Sequence, residues 1–200
     1  MDDPRIEIHS RKTGFKGFFA LAIFRLRHRR HDGGWTREIE REVFLREPVV
    51  AVLPYDPVRD TILLLEQFRL PAHLIGQDAW QQEIIAGIVE EGENLEDVAV
   101  RECQEEAGFK PLALERIMTY MPSQGACTEA TTIFLAHMDD AGLGGIHGLE
   151  DEDEDILARV LPFDEAWAML EEGRIQNSPA IIALQWLKLN RQDVTKRWNT

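Results

Sequence analysis

Hydrophobic and polar positions along this chain fall into two patterns that meet near residue 48. Before it, apolar residues alternate with charges: Ile6 and Ile8, then Ala20-Leu21-Ala22-Ile23-Phe24 running into Arg25-Leu26-Arg27, then Glu38 to Phe44, with a turn at His31-Asp32-Gly33-Gly34. A two-residue period broken by glycine turns predicts a short antiparallel β unit over residues 1–47. From Val49 the apolar residues come in solid runs, Val49-Val50-Ala51-Val52-Leu53 and Ile62-Leu63-Leu64-Leu65, joined by the turn sequence Asp56-Pro57-Val58-Arg59-Asp60. Such runs are of strand length. Further strands are predicted at Glu83–Ala86, Arg116–Tyr120, Thr131–Ala136 and Ile156–Leu161. Helices are predicted from Leu95 to Ala107, from Phe163 to Glu172 before Gly173, and from Ser178 to Leu189, with Ser178 as cap and Pro179 in the first turn. Trp167, Leu170, Ile182, Leu184, Trp186 and Leu187 are assigned to the core of this second region. The class is α/β (α+β), with a small antiparallel β domain followed by a mixed-sheet domain over residues 48–200.

Composition narrows the partners. The chain has 200 residues, 44% hydrophobic and 29% charged, which suffices for a substantial core. Its net charge of −14 argues against a nucleic acid polymer, whose phosphates would be repelled, but leaves small phosphate esters escorted by a cation. Arg25, Arg27, Arg29, Arg30, Arg37, Arg41 and Arg46 make the N-terminal stretch locally basic. Two cysteines, Cys103 and Cys127, imply no disulfide framework. The apolar stretch Phe18–Phe24 is too short to span a bilayer, and Asp2-Asp3 is a poor start for a signal peptide, so a cytoplasmic protein without a membrane partner is expected.

The chemistry concentrates on the first predicted helix. Asn94 is placed to cap it and Gly108 to end it in a left-handed conformation. Glu102 and Glu106, four residues apart, stack on one patch, while Val100, Cys103 and Ala107 offer a packing sector. Like charges at that spacing weaken a helix by a few tenths of a kcal/mol, and a divalent cation reverses the sign. A second acidic feature, Glu150-Asp151-Glu152-Asp153-Glu154-Asp155, lies directly before a predicted core strand and can deliver a carboxylate to the same cation. Hydrolysis at phosphorus requires a water held and deprotonated on one side and charge neutralised on the other.

Gly87, Glu93, Arg101-Glu102, Glu105-Glu106, Gly108 and Phe109 reproduce the spacing of the Nudix box, with Cys103 in its apolar position. The chain therefore resembles the Nudix hydrolases. Gly144-Gly145-Ile146-His147-Gly148-Leu149, the acidic run, Glu66-Gln67-Phe68-Arg69 and Ala180-Ile181-Ile182-Ala183-Leu184-Gln185-Trp186-Leu187 extend the likeness to the bacterial ADP-ribose pyrophosphatase family. That resemblance implies an α/β/α sandwich with a mixed sheet and cleavage of ADP-ribose to AMP and ribose 5-phosphate. It also implies dependence on Mg²⁺, with Mn²⁺ as a substitute, and a homodimer with exchanged N-terminal domains.

The resemblance further assigns metal ligation to Glu102, Glu106, Glu154 and the Ala86 carbonyl, and the general base to Glu152, with Glu154 able to exchange roles with it. Substrate contacts are assigned to Phe18, Phe19, Arg41, Glu42, Arg46, Arg69, Ile88, Ser123, Gln124, Gly125 and Glu129. Gly87, Glu93, Arg101, Glu105 and Gly108 are assigned to the architecture of the box. One departure stands out: where the family carries a specificity proline in a Ser-Pro-Gly context, this chain reads Pro122-Ser123-Gln124-Gly125. Hydrolysis of GDP-mannose and a non-catalytic ADP-ribose sensor are the two other readings the resemblance admits.

Overall fold

In the computed structural model, which describes residues 3–149 and 153–198, the chain divides into two compact units. The first comprises Met1–Pro48 and Met121–Ala130, and the second Val49–Tyr120 and Thr131–Thr200.

The first unit is an antiparallel sheet in which β1 (Ile6–Lys16) pairs with β2 (Ala20–His28) and β2 with β3 (Ile39–Leu45). Residues 126–128 attach to its end: Phe44 N–H donates to Ala126 O at 2.8 Å, and Arg46 N–H to Thr128 Oγ1 at 2.8 Å. Trp35 lies under two guanidinium groups, with Arg29 Cζ 4.3 Å and Arg27 Cζ 4.7 Å from ring centroids. Part of the basic stretch is thus spent on cation–π contacts and on ion pairs such as Arg27–Glu7 at 2.6 Å.

The second unit is built on a mixed sheet of eight strands. Its main path runs β10 (Gly145–His147), β11 (Ile156–Pro162), β5 (Thr61–Phe68), β4 (Val49–Asp56), β9 (Thr131–His137), β8 (Ala113–Tyr120). Among the described residues, the only parallel pairing in this sheet is that of β4 with β9. β4 and β5 pair at their hairpin end alone, Tyr55 with Ile62 and Asp56 with Thr61. Beyond it they diverge, and β6 (Trp80–Glu83) adds to β5 while β7 (Ile85–Ile88) adds to β4. The single strand predicted at Glu83–Ala86 is therefore two, separated at Ile84.

Two cores cover opposite faces of this sheet. Val50, Val52, Leu63, Leu65 and Phe134 pack with Val98, Ala99, Cys103 and Ala107 of α2 (Leu95–Ala107). Ala51, Leu53, Ile62, Leu64, Ile133 and Leu135 pack with α3 (Phe163–Glu171) and α4 (Ser178–Trp198). The period-two alternation along β4 sends successive side chains to different cores, which is why its sequence is apolar without interruption. The result is the three-layered α/β/α arrangement expected. α4 runs nine residues past the predicted Leu189, with Val194 fully buried and Trp198 stacked on His137 at 4.9 Å. Its cap is Asn177, whose Oδ1 accepts the Ala180 N–H at 3.1 Å; Ser178 instead pairs its hydroxyl with Tyr120 at 2.8 Å.

Candidate functional site

The helix bearing the acidic pattern forms where its punctuation places it. Asn94 Oδ1 accepts the Glu96 N–H at 2.8 Å, Glu96 and Asp97 stand in the first turn, and Gly108 ends the helix at φ 70°. Val98, Ala99, Cys103 and Ala107 form the packed stripe, with Val100 only half-buried, so the stripe lies partly off the predicted sector. That rotation carries Glu102 and Glu106 to the sheet side, where they are 7% and 5% exposed instead of solvated.

β7 makes room for them. Glu106 Oε2 accepts the Ala86 N–H at 2.9 Å. A strand residue's N–H and C=O point the same way, so the Ala86 carbonyl also opens toward this carboxylate. At the next residue, a β-carbon on Gly87 would lie 1.7 Å from Glu102 Oε1. The glycine is a seat for the carboxylate. Arg101 holds the surrounding loop: its guanidinium meets Glu102 Oε1 at 2.8 Å, Glu105 Oε2 at 3.1 Å and Glu93 Oε2 at 3.6 Å, and donates to Ile88 O at 3.4 Å. Glu93 closes its own turn by accepting the Glu90 N–H at 2.8 Å.

These carboxylates are poorly accommodated as anions. Burial pushes Glu102 up to about 7, with Arg101 opposing and Glu105 and Glu154 adding to the rise. Burial also raises Glu106 well above the usual carboxylate range; the Ala86 N–H and Arg69 oppose, and Glu102 and Glu154 reinforce. Both side chains sit in the last two turns of α2, where the helix dipole is also negative. Buried oxygen donors that lack sufficient positive charge suit a hard dication such as Mg²⁺. Glu102, Glu106, Glu154 and the Ala86 carbonyl would hold such an ion.

Glu154 stands near enough for its charge to raise the pKa of Glu102, Glu106 and Arg69. Arg69 is there too, fixed by a two-pronged pair to Glu83 with both nitrogen–oxygen distances 2.9 Å. Glu83 has no site role in the sequence reading, which places it only at the start of a predicted strand; its signal is an acid directly before the apolar run Ile84-Ile85-Ala86. Ile88 is 37% exposed at the end of β7. Glu152, the expected base, lies outside the described residues.

The remaining predicted substrate residues fall in the first unit. Arg46 lies over the Phe19 ring at 4.3 Å and pairs with Glu129 at 3.2 Å, while Phe19 meets Phe18 and Phe44 edge-on at 4.7 and 5.2 Å. Phe18 is 87% exposed. Arg41 and Glu42 are exposed on β3, and Ser123, Gln124 and Gly125 form an exposed turn closed by Ala126 and Cys127 N–H groups on Ser123 O.

A tighter acidic triad lies elsewhere. Asp56, Asp139 and Asp140 bring carboxylate oxygens within 4.8 Å of one another, but at the hairpin end of β4, away from the Ala51–Ala86 pairing. Arg59 answers all three, at 2.6, 2.9 and 3.1 Å. That group is a turn lock already supplied with its cation.

Comparison with known proteins identifies the family and the fold. Residues 45–184 match the NUDIX domain. An ADP-ribose pyrophosphatase of Escherichia coli (strain K12) is 41% identical over 193 residues, covering 96% of this chain and 92% of the relative. One from Haemophilus influenzae is 38% identical over 196 residues, covering 96% and 90%. A GDP-mannose pyrophosphatase of Pectobacterium atrosepticum is 33% identical over 189 residues, covering 92% and 94%. A crystal structure described as an ADP compounds hydrolase superposes with a TM-score of 0.67 at 20% identity, covering 94% of this chain and 97% of that one, a likeness of fold. By its matched domain, its box and its three-layered architecture, this chain belongs to the Nudix family.

Proposed function

We propose that this protein hydrolyses the pyrophosphate bond of ADP-ribose to AMP and ribose 5-phosphate, using Mg²⁺ or, in its place, Mn²⁺. The observation that carries the reading is the pair of buried, like-charged carboxylates, Glu102 and Glu106, seated against Ala86 and Gly87. The two relatives named ADP-ribose pyrophosphatase, each covering 96% of the chain, support the substrate.

In the reaction, water adds across one P–O–P linkage: its oxygen bonds to one phosphorus, its proton passes to a carboxylate, and the bridging oxygen departs with the other phosphate. A dication at the carboxylate cluster supplies Lewis acidity and offsets the diphosphate charge. Glu102 and Glu106 bind and orient from the helix. Glu152 takes the proton, or Glu154 does so if the two exchange roles. Arg69, held by Glu83, neutralises phosphate charge. In the first unit, Arg46 on Phe19 offers a flat cationic surface suited to a nucleobase, with Glu129 fixing the guanidinium. Exposed Ile8, Phe15 and Phe18 support a homodimer through the first unit, with exchanged N-terminal domains. The free cysteines, Cys103 and Cys127, support a cytoplasmic setting, and among the described residues no helix is long and apolar enough to cross a membrane.

The competing substrate is GDP-mannose, favoured by the Pectobacterium relative; Gln124 stands where the ADP-ribose pyrophosphatase family carries its specificity proline. The test is product release from ADP-ribose, GDP-mannose and other nucleotide sugars with Mg²⁺. AMP formation from ADP-ribose with the highest kcat/KM of the panel is the expected outcome. Preference for GDP-mannose replaces the substrate, and binding of ADP-ribose without turnover of any compound indicates a sensor.

A further inference from the structure

The segment Gly144-Gly145-Ile146-His147-Gly148 leads into the acidic loop through β10, where His147 pairs with Ile156 and Ile146 with Leu157. Alternation along this short strand leaves Ile146 76% exposed and turns His147 toward the opposite face, onto the end of α2. There the ring rests on a bare backbone position: a β-carbon on Gly108 would lie 2.8 Å from His147 Cε1. Gly108 is thus constrained twice, by its left-handed φ of 70° and by the ring above it. His147 Nε2 is 3.3 Å from Gly144 O, a contact that fixes the ring plane.

The next residue ties the two arms of the loop together. Gly148 has φ 109°, and a β-carbon there would lie 2.7 Å from Glu154 Cβ and 2.8 Å from Glu154 O. The crossing is clasped by Leu149 N–H donating to Glu154 Oε2 at 3.3 Å and Glu154 N–H donating to Leu149 O at 3.2 Å. A continuous path of contacts therefore runs from the C-terminus of α2 through His147 and Gly148 to Glu154, the carboxylate whose charge reaches Glu102 and Glu106 from outside the helix.

We propose that His147 is a positioning residue: its ring, seated on the uncovered Gly108 cap, registers the root of the acidic loop against α2, so that Glu154 meets Glu102 and Glu106 at a fixed spacing. The inference rests on the proposed hydrolytic reading but assigns no new substrate. Loss of the ring leaves α2 and the loop individually intact and loosens their mutual register, so it weakens cation binding and turnover more than ADP-ribose affinity.

The test is a double-mutant cycle with His147→Ala and Gly108→Asn. Asparagine accepts a left-handed backbone, so Gly108→Asn keeps the helix cap while pressing a side chain onto the ring. Readouts are kcat, KM for ADP-ribose, the Mg²⁺ concentration for half-maximal activity, and the Mg²⁺-induced shift in melting temperature. Each single change should lower kcat about tenfold or more and raise the Mg²⁺ requirement, with KM altered by no more than about threefold. The double variant should be no worse than His147→Ala, because both changes act on one contact. His147→Phe, which keeps a flat ring, should recover most of the activity.

Wild-type kcat and Mg²⁺ requirement in either single variant, or losses that multiply in the double variant, overturn the proposal. If His147→Ala does not fold, Gly108→Asn and His147→Phe decide the matter alone. If the wild-type protein leaves ADP-ribose uncleaved, the substrate assignment fails, and the Mg²⁺-induced melting shift still reads whether Gly108 and His147 are coupled.

Discussion

Replacement of Gly87 by alanine isolates the seat beneath Glu102. Gly87 lies outside the left-handed region of backbone space, so alanine meets no conformational penalty there. The conflict is with the carboxylate: the added carbon would stand 1.7 Å from Oε1, 2.0 Å from Cδ and 2.5 Å from Cγ of Glu102. Three atoms of one side chain must move, and the whole carboxylate arm leaves the cluster. Without metal, the variant should melt within about 3 °C of wild type, because the displaced group is the end of a flexible side chain. With Mg²⁺ the two proteins should separate. A ligand at a hundred times its dissociation constant stabilises the folded state by about 2.7 kcal/mol. At about 2–4 °C per kcal/mol for a chain of this size, wild type should gain about 5–11 °C. Gly87→Ala should gain less than about 3 °C at the same Mg²⁺ concentration and lose about a hundredfold or more in kcat, equivalent to about 2.7 kcal/mol of transition-state stabilisation. Melting curves with and without chelator, together with AMP release, measure both. A variant that retains the full Mg²⁺-induced rise and turns over within about twofold of wild type refutes the reasoning.

Two further outcomes are expected. Glu106→Gln preserves shape and removes the charge, so kcat should fall by about three orders of magnitude or more, while circular dichroism stays unchanged and metal-free melting at about pH 7 is no lower than in wild type, because a poorly accommodated anion is gone; normal turnover removes Glu106 from the site. At the opposite end of β4, burial pushes Asp56 up, but donation from the Arg59 backbone and guanidinium and from the Val58 and Asp140 N–H groups prevails and holds it below its usual value of 3.8. A lowered folded pKa gives stability that is present above 3.8 and lost as pH falls through the folded value. Asp56→Asn should therefore be less stable than wild type at pH 7, by about 1.5–3 kcal/mol. Its stability should also fall less steeply in acid, as read by urea unfolding across pH 2–7; parallel curves for the two proteins contradict the turn lock.

How far the sequence carried depended on how local each determinant was. α2 was legible to the residue because Asn94 and Gly108 mark its ends within its own segment, and the box spacing announced Glu102 and Glu106 as partners. Their depth was not legible, because it follows from β7 opening beside β4 and from the small volumes of Ala86 and Gly87. The five-residue helix α1 (Leu70–Leu74) and the glycine-rich β10 have no periodicity long enough to read. α4 passes through the polar stretch Asn190-Arg191-Gln192-Asp193, and only contacts with distant residues, such as Trp198 on His137, show why it continues. Residues 121–130 join the first unit through bonds to Phe44 and Arg46, about eighty positions away in sequence, which no window along the chain reveals.

The two thiols offer an intrinsic spectator of unfolding. Cys103 is fully buried in the packed stripe of α2, and burial pushes its thiol far up the scale, so an alkylating reagent reaches it only when that layer opens. Cys127 is half-buried in the first unit, where it accepts the Glu129 N–H at 3.4 Å. Timed labelling followed by mass spectrometry thus monitors each unit separately in the unaltered protein, with no foreign dye or engineered reporter.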